Sequence, residues 1–270
     1  MADTALMEKT TWSLAGNGKR SLLLLRILFL LGVLAVWQFV VDIGLVDQFW
    51  VSKPSLVIQR LGEILATGET YTDIAFTMKS TFIGFVISGV AGIATACLFY
   101  KYKTLHDVVD PYILALYSTP RLALAPLFII WFGIGTASKV ALIVSICYFI
   151  MLLNAYAGLV TVNRRLIDQV RMMGATDAFI FRRVIVPASI PWLLAAARVS
   201  IGFALMVAVV GELIIAEQGI GLRIARASGL FDTTGVFAYL VIIAVLGFLL
   251  DQVLRWLERR MSAYGPGVKI

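Results

Sequence analysis

A chain of 270 residues built for nucleophilic or metal chemistry would need side chains that this one scarcely has. It holds one histidine, His106, and two cysteines, Cys97 and Cys147. Both cysteines fall inside apolar runs and read as small buried hydrophobes, with neither a disulfide framework nor metal-site spacing. His106 stands beside Lys101 and Lys103 in what reads as a short polar loop, the setting of a solvated residue rather than a ligand or switch. No constellation of nucleophile, base and orienting group emerges, so the chain is not read as an enzyme. Gly18-Lys19 lacks the upstream glycine and following Ser/Thr of a phosphate loop. Gly133-Ile134-Gly135 and Gly219-Ile220-Gly221 lack the third glycine and flanking strand of a dinucleotide site, and read as turns.

Three other ionisable residues lie within apolar surroundings: Arg121, Arg198 and Glu212. A charge near the centre of a bilayer costs about 2.5–3.5 kcal/mol or more, so each must face protein or water. One reading makes them part of an anion path or gate. The other makes Arg198 and Glu212 internal structural charges or helix ends reaching the interface, and Arg121, next to Pro120, the mark of a helix break. Arg198 and Glu212 are too far apart along one helix to touch, so any direct pairing needs other helices.

The segment with the most to say is 161–188. Ile167, Val170 and Met173 share a helical face, with Asp168, Gln169 and Arg171 around them. Gly174 is placed as a helix terminator able to take positive φ. Thr176 follows as an N-cap, with Asp177 in the first turn. A second short helix then runs to Pro187, where a break is expected. Phe179 and Phe181 in such a polar element have no lipid to explain them, whereas a docking partner would.

The elements around these residues are set by composition. Hydrophobic residues make up 60% and charged residues 14%, against about 25% charged in soluble domains. A hydrocarbon core of about 30 Å needs roughly 20 apolar residues per helix. Six stretches qualify, at about 22–42, 76–100, 111–132, 138–160, 189–215 and 235–256. The first is too long for a signal peptide and is read as retained. Most of the 23 Lys and Arg fall in the tails and in the 101–103 and 161–188 connections, which places both termini and the 161–188 loop in the cytosol. The positive charge therefore belongs to membrane topology rather than to nucleic-acid binding. Gly84, Ser88, Gly92 and Ala96 form a small-residue stripe for close helix approach. Pro120 and Pro126 should kink or break the third span. Between 43 and 75, Leu56, Ile58, Leu61, Ile64 and Leu65 suggest an amphipathic helix on the outer surface. An interfacial belt accounts for Trp37, Trp50, Trp131, Trp192 and Trp256.

The 161–188 loop resembles the cytoplasmic signature of ABC importer permeases: Glu-Ala-Ala, three residues, Gly, nine residues, Ile, one residue, Leu-Pro. Asp168-Gln169-Val170, Gly174, Val184 and Val186-Pro187 fall on that spacing without a gap. Trp131 to Gly135 with Ser138-Lys139, Ser52 to Ser55, Asp110-Pro111, Ala195 to Arg198 and Gly211 to Ile214 are similar to the nitrate, sulfonate, taurine and thiamine-precursor permeases.

The resemblance covers roughly 24–262. It implies an all-α type I permease domain there, between cytoplasmic tails at 1–23 and 263–270, in a bacterial inner membrane. It further implies pairing with a second permease copy as a homodimer, two ATPase subunits and an external solute-binding protein. Asp168, Gln169, Val170, Gly174, Ala175, Phe179, Val184 and Pro187 would form the ATPase-coupling site. ATP and Mg would sit on the ATPase, with no cofactor on this chain. The rival is a stand-alone secondary transporter, which would call for midplane coupling carboxylates and two related halves with broken helices. Glu212 is the one candidate carboxylate, and no clear repeat is visible.

Overall fold

A computed structural model describes residues 18–215 and 217–262, and those residues are helical throughout apart from short connections. The tail assigned to 263–270, and all but the last residues of the tail assigned to 1–23, lie outside the described residues. The helices are α1 (Gly18–Asp42), α2 (Gln48–Val51), α3 (Pro54–Ala66), α4 (Glu69–Lys101), α5 (Lys103–Ser118), α6 (Ala125–Phe132) and α7 (Thr136–Val160). They continue with α8 (Arg164–Met172), α9 (Asp177–Ile180), α10 (Val186–Ile215), α11 (Ile220–Gly229) and α12 (Thr233–Ser262). Five stretches are long and apolar enough to cross a membrane: Ser21–Asp42, Glu69–Lys101, Thr136–Val160, Asp177–Ile214 and Thr233–Arg260. A sixth is Lys103–Ser118 with Arg121–Phe132, two pieces bent by 80°.

The bend has a local cause. Pro120 forces Thr119 out of the α region to ψ 135, and α5 ends there. A 3₁₀ turn, Arg121–Leu124, follows. Pro126 then falls in the first turn of α6, where its missing N–H costs nothing. The third span also begins earlier than 111, because only Tyr102 separates α4 from α5. His106 is therefore not in a solvated loop. It lies on α5, stacked on the Tyr156 ring at 4.1 Å and edge-on to Phe99.

The other departure from expectation is at Pro187, which does not interrupt the chain. α9, a π turn at Phe181–Ile185 and α10 form one continuous helical stretch. Val186 N–H donates to the Phe181 carbonyl, five residues back. This widened turn accommodates the ring of Pro187, which has no N–H to donate.

The small-residue stripe does what its spacing implies. Gly84, Ser88, Gly92 and Ala96 are all buried along α4, which packs on α7. A Cβ on Gly84 would run into Ile143, and one on Gly92 would lie 2.8 Å from Met151 Cβ and 2.9 Å from the Leu152 nitrogen and Tyr148 carbonyl. α10 lies against α7 as well, and Ala204, Val207 and Ala208 close a core with Leu142, Ile143 and Cys147. A second core joins α3, α10, α11 and α12 through Val57, Ile64, Leu205, Val209, Ile224 and Ile242. α3 is amphipathic, but its inward residues are Val57 and Ile64, and Ile58 and Leu65 of the expected apolar pattern are exposed.

Gly92→Ala should destabilise the fold by about 1–3 kcal/mol, because the clash is with α7 backbone that cannot step aside. Gly89→Ala, whose Cβ would meet only the Met151 methyl at 3.5 Å, should be near neutral. Thermal unfolding of both variants in detergent checks this, and equal midpoints would remove the close approach as the cause.

Candidate functional site

The 161–188 loop is assembled from backbone chemistry that its sequence dictates. Asn163 caps α8, its side chain accepting from the Arg165 N–H at 2.9 Å. At the other end Gly174 takes φ +85. The Gly174 N–H donates to the Arg171 carbonyl and the Ala175 N–H to the Val170 carbonyl, the paired bonds of a Schellman turn. Thr176 caps the next helix by accepting from the Phe179 N–H. Arg171 reaches across the turn to Asp177 at 3.0 Å.

Two faces result. Ile167, Val170, Ala175, Phe181 and Val184 pack onto a core that joins Phe99, Leu152 and Leu159 of α4 and α7 to Ile180 and Ile185 of α9 and the π turn. Asp168, Gln169 and Phe179 point outward and are exposed, as are Gly174 and Pro187. Met172 and Met173, which the sequence reading did not single out as site residues, are the most prominent of all at 81% and 85% exposed. The turn is thus anchored on one side and on the other exposes Met172, Met173 and Phe179 beside charged residues.

Glu212 lies elsewhere, in a polar cluster that the sequence reading did not foresee. The bend between α10 and α11 presents three consecutive amides, and each donates to a side-chain oxygen. Gly219 N–H donates to Asp73 Oδ1 at 3.0 Å, Ile220 N–H to Thr77 Oγ1 at 3.1 Å and Gly221 N–H to Glu212 Oε2 at 3.1 Å. Thr77 Oγ1 in turn donates to Glu212 Oε2 at 2.8 Å. The buried Lys139 ammonium stands 3.6 Å from Glu212 Oε1 and 4.0 Å from the Phe76 ring centre. Asp73 also accepts from Arg223 Nε at 2.6 Å, and that bond holds the guanidinium above the usual arginine range. Gly219 has φ +119, and a Cβ there would fall on the Glu212 carboxylate. Two carboxylates therefore occupy the positive end of α11, the favourable place for them, and tie α4, α7, α10 and α11 together. The clues were the i, i+4 pair Asp73 and Thr77 at the start of a span, and Lys139, a lone charge at the start of another.

Arg198 and Arg121 have separate partners. Arg198 Nε donates to Asp251 of α12 at 2.6 Å, and Arg255 also contacts Asp251. Arg121 donates to the Leu116 carbonyl across the bend, its guanidinium 4.1 Å from the Phe149 ring centre. The structure does not bring Arg121, Arg198 and Glu212 into one cluster.

The architecture defines a class: a multi-span helical membrane protein with the fold of type I ABC importer permeases. It is similar to a chain of the MetNI methionine ABC transporter in an inward-facing conformation, with TM-score 0.58, 21% identity, and 76% of this chain and 96% of that one covered. A chain of an amino acid ABC transporter gives TM-score 0.59 at 21% identity, over 76% of this chain and 96% of that chain. Residues 84–263 match the model of the binding-protein-dependent transport system inner membrane component family, and the chain belongs to that family. Its relatives include a probable ABC transporter permease protein of Brucella melitensis, 33% identical over 78% of this chain and 86% of the relative. The formylaminopyrimidine transport permease protein of Halalkalibacterium halodurans is 32% identical over 86% and 92%. The putative aliphatic sulfonates transport permease protein of Bacillus subtilis is 30% identical over 85% and 83%. The chain is thus a multi-pass permease of an inner-membrane transport system, not an enzyme.

Lys139→Met should strand the Glu212 carboxylate without its countercharge and cost about 3–5 kcal/mol. Adding Glu212→Gln, whose amide oxygen can still accept from Thr77 and Gly221, should recover much of that loss. Thermal midpoints of the single and double variants measure the coupling, and additive losses would show that the pair does not act as a unit.

Proposed function

We propose that this chain is the path-forming subunit of an ATP-driven importer and docks on a separate ATPase through the 161–188 loop. The observation that carries the proposal is the two-sided turn: Met172, Met173 and Phe179 are exposed and apolar on an element whose opposite face is built into the bundle. An apolar tip held this rigidly suits a cleft in another protein. Asp168, Gln169, Val170, Gly174, Ala175, Phe179, Val184 and Pro187 shape that element, some by contact and some, like Val170 and Ala175, by holding the turn.

ATP and Mg belong to the ATPase. The permease pairs with a second copy, both termini face the cytosol, and an external solute-binding protein delivers the cargo. The relatives named for sulfonates, taurine and formylaminopyrimidine point to a small organic solute of that kind. Arg121 lies at the broken third span, where irregular backbone is tolerated only against protein or a water-filled cavity, and we assign it to the path wall. Arg198 and Glu212, each engaged with neighbouring helices, support that wall from behind.

Affinity purification from detergent-solubilised membranes tests the docking. The unaltered chain should carry an ATPase with it. Gly174→Pro, which cannot adopt φ +85, should lose the ATPase while remaining folded by circular dichroism. Retention of the ATPase by the variant would move the docking site away from this turn, and absence of any ATPase from the unaltered chain would sink the importer reading.

A further inference from the structure

The end of the bundle opposite the 161–188 loop carries an apolar surface that no part of the described chain covers. α2, the turn after α11 and the start of α12 meet there. Phe49 stacks on Phe231 at 6.2 Å and meets Trp50 edge-on at 5.1 Å. Thr233 Oγ1 donates to the Phe49 carbonyl and pins the two segments together. An open cleft of about 260 Å³ lies between Phe49, Trp50, Ser228, Phe231, Thr233 and Val236. Trp50, Leu230 and Phe231 are 73%, 79% and 72% exposed.

The backbone of Phe231 is a second, independent observation. Its φ is +56. The Phe231 N–H donates to the Ser228 carbonyl and the Asp232 N–H to the Ala227 carbonyl, so α11 ends in a Schellman turn with Phe231 at its left-handed position. Glycine fits that position without strain, and a bulky residue does not. The ring nonetheless buries little inside the chain. A side chain that strains its backbone and gains few internal contacts has its contacts outside.

The surface sits where α1 ends and α12 begins, and among the five spans these two bury the smallest shares of their most apolar stretches, 6% and 22%. Exposed Phe39, Ile43 and Leu45 lead along the chain from the flank of α1 toward it. The Asp42–Lys53 ion pair at the end of α1 marks a polar level beside it. Aromatic rings next to such groups at span ends are suited to the headgroup boundary.

We propose that Phe49, Trp50, Leu230 and Phe231 form an interfacial anchor, inserted at the headgroup–acyl boundary on the face opposite the 161–188 loop. It holds α2 and the α11–α12 turn at the membrane surface. The inference needs only that the chain spans a bilayer and stands apart from the ATPase docking.

The test places a spin label at Leu230→Cys in the full chain with Cys97→Ala, Cys147 being shielded in the core. The protein is held in nanodiscs of phosphatidylethanolamine and phosphatidylglycerol. Power saturation with oxygen and with a water-soluble nickel chelate should give an oxygen collision rate several-fold above that of nickel. Free access of nickel would overturn the proposal, because the surface would then face water, where a protein partner would sit. Phe231→Gly, which removes the left-handed strain, should leave the thermal midpoint in detergent unchanged or higher. The same variant should bring the oxygen-to-nickel ratio down toward one, and a ratio that does not move would overturn the role of the Phe231 ring.

Discussion

A backbone amide within or near a bilayer has little water to turn to, and the bend between α10 and α11 presents three in succession. The fold answers with Asp73, Thr77 and Glu212, one oxygen for each donor. Much else follows from that requirement. Gly219 must lack a side chain because the Glu212 carboxylate occupies the space. Lys139 must be buried because a carboxylate at that depth needs a countercharge. Since the acceptors come from α4 and α10 and the countercharge from α7, satisfying one turn fixes the mutual positions of three long helices.

The glycine stripe on α4 makes this geometry reachable. With only Gly84 and Gly92 facing Ile143 and Met151, α4 and α7 approach closely enough for side chains of ordinary length to meet in the cluster at one end. At the other end the same approach creates the floor of Phe99, Leu152 and Leu159 on which Ile167, Val170 and Ala175 rest. The 161–188 turn and the buried cluster are two ends of a single packed pair.

The parts of this fold that were legible in the sequence were those governed by local rules. Gly174 at positive φ, Thr176 as a cap and the α8–turn–α9 order follow from backbone chemistry within a few residues. The small-residue stripe follows from side-chain volume, and the break at Pro120 from the steric limit that a proline sets on the residue before it. Three-dimensional neighbours were what the sequence withheld. Lys139 showed no partner because nothing near it in sequence is acidic; Glu212 is 73 residues away. His106 looked solvated because Tyr156, which covers it, lies on another helix. Pro187 looked like a terminator because a π turn, which absorbs a proline without ending the helix, leaves no mark in the residue pattern. Met173 looked like a member of the apolar face of Ile167 and Val170, and only the turn geometry turns it outward beside Met172.

The uninterrupted run from Asp177 to Ile214 has a mechanical consequence. At 1.5 Å per residue its 38 residues make a rod roughly 55 Å long. The 161–188 turn leads into one end, and Glu212, two residues from the other, holds the buried cluster. Moving as one body, the run converts a tilt of about 5° at the turn into a displacement of about 5 Å at the far end, more than a hydrogen bond can stretch. The π turn at Phe181–Ile185 and Pro191 both fall in the half of this rod nearer the 161–188 turn, so its compliance is gathered there and the stretch from Pro191 to Glu212 is the stiffer arm.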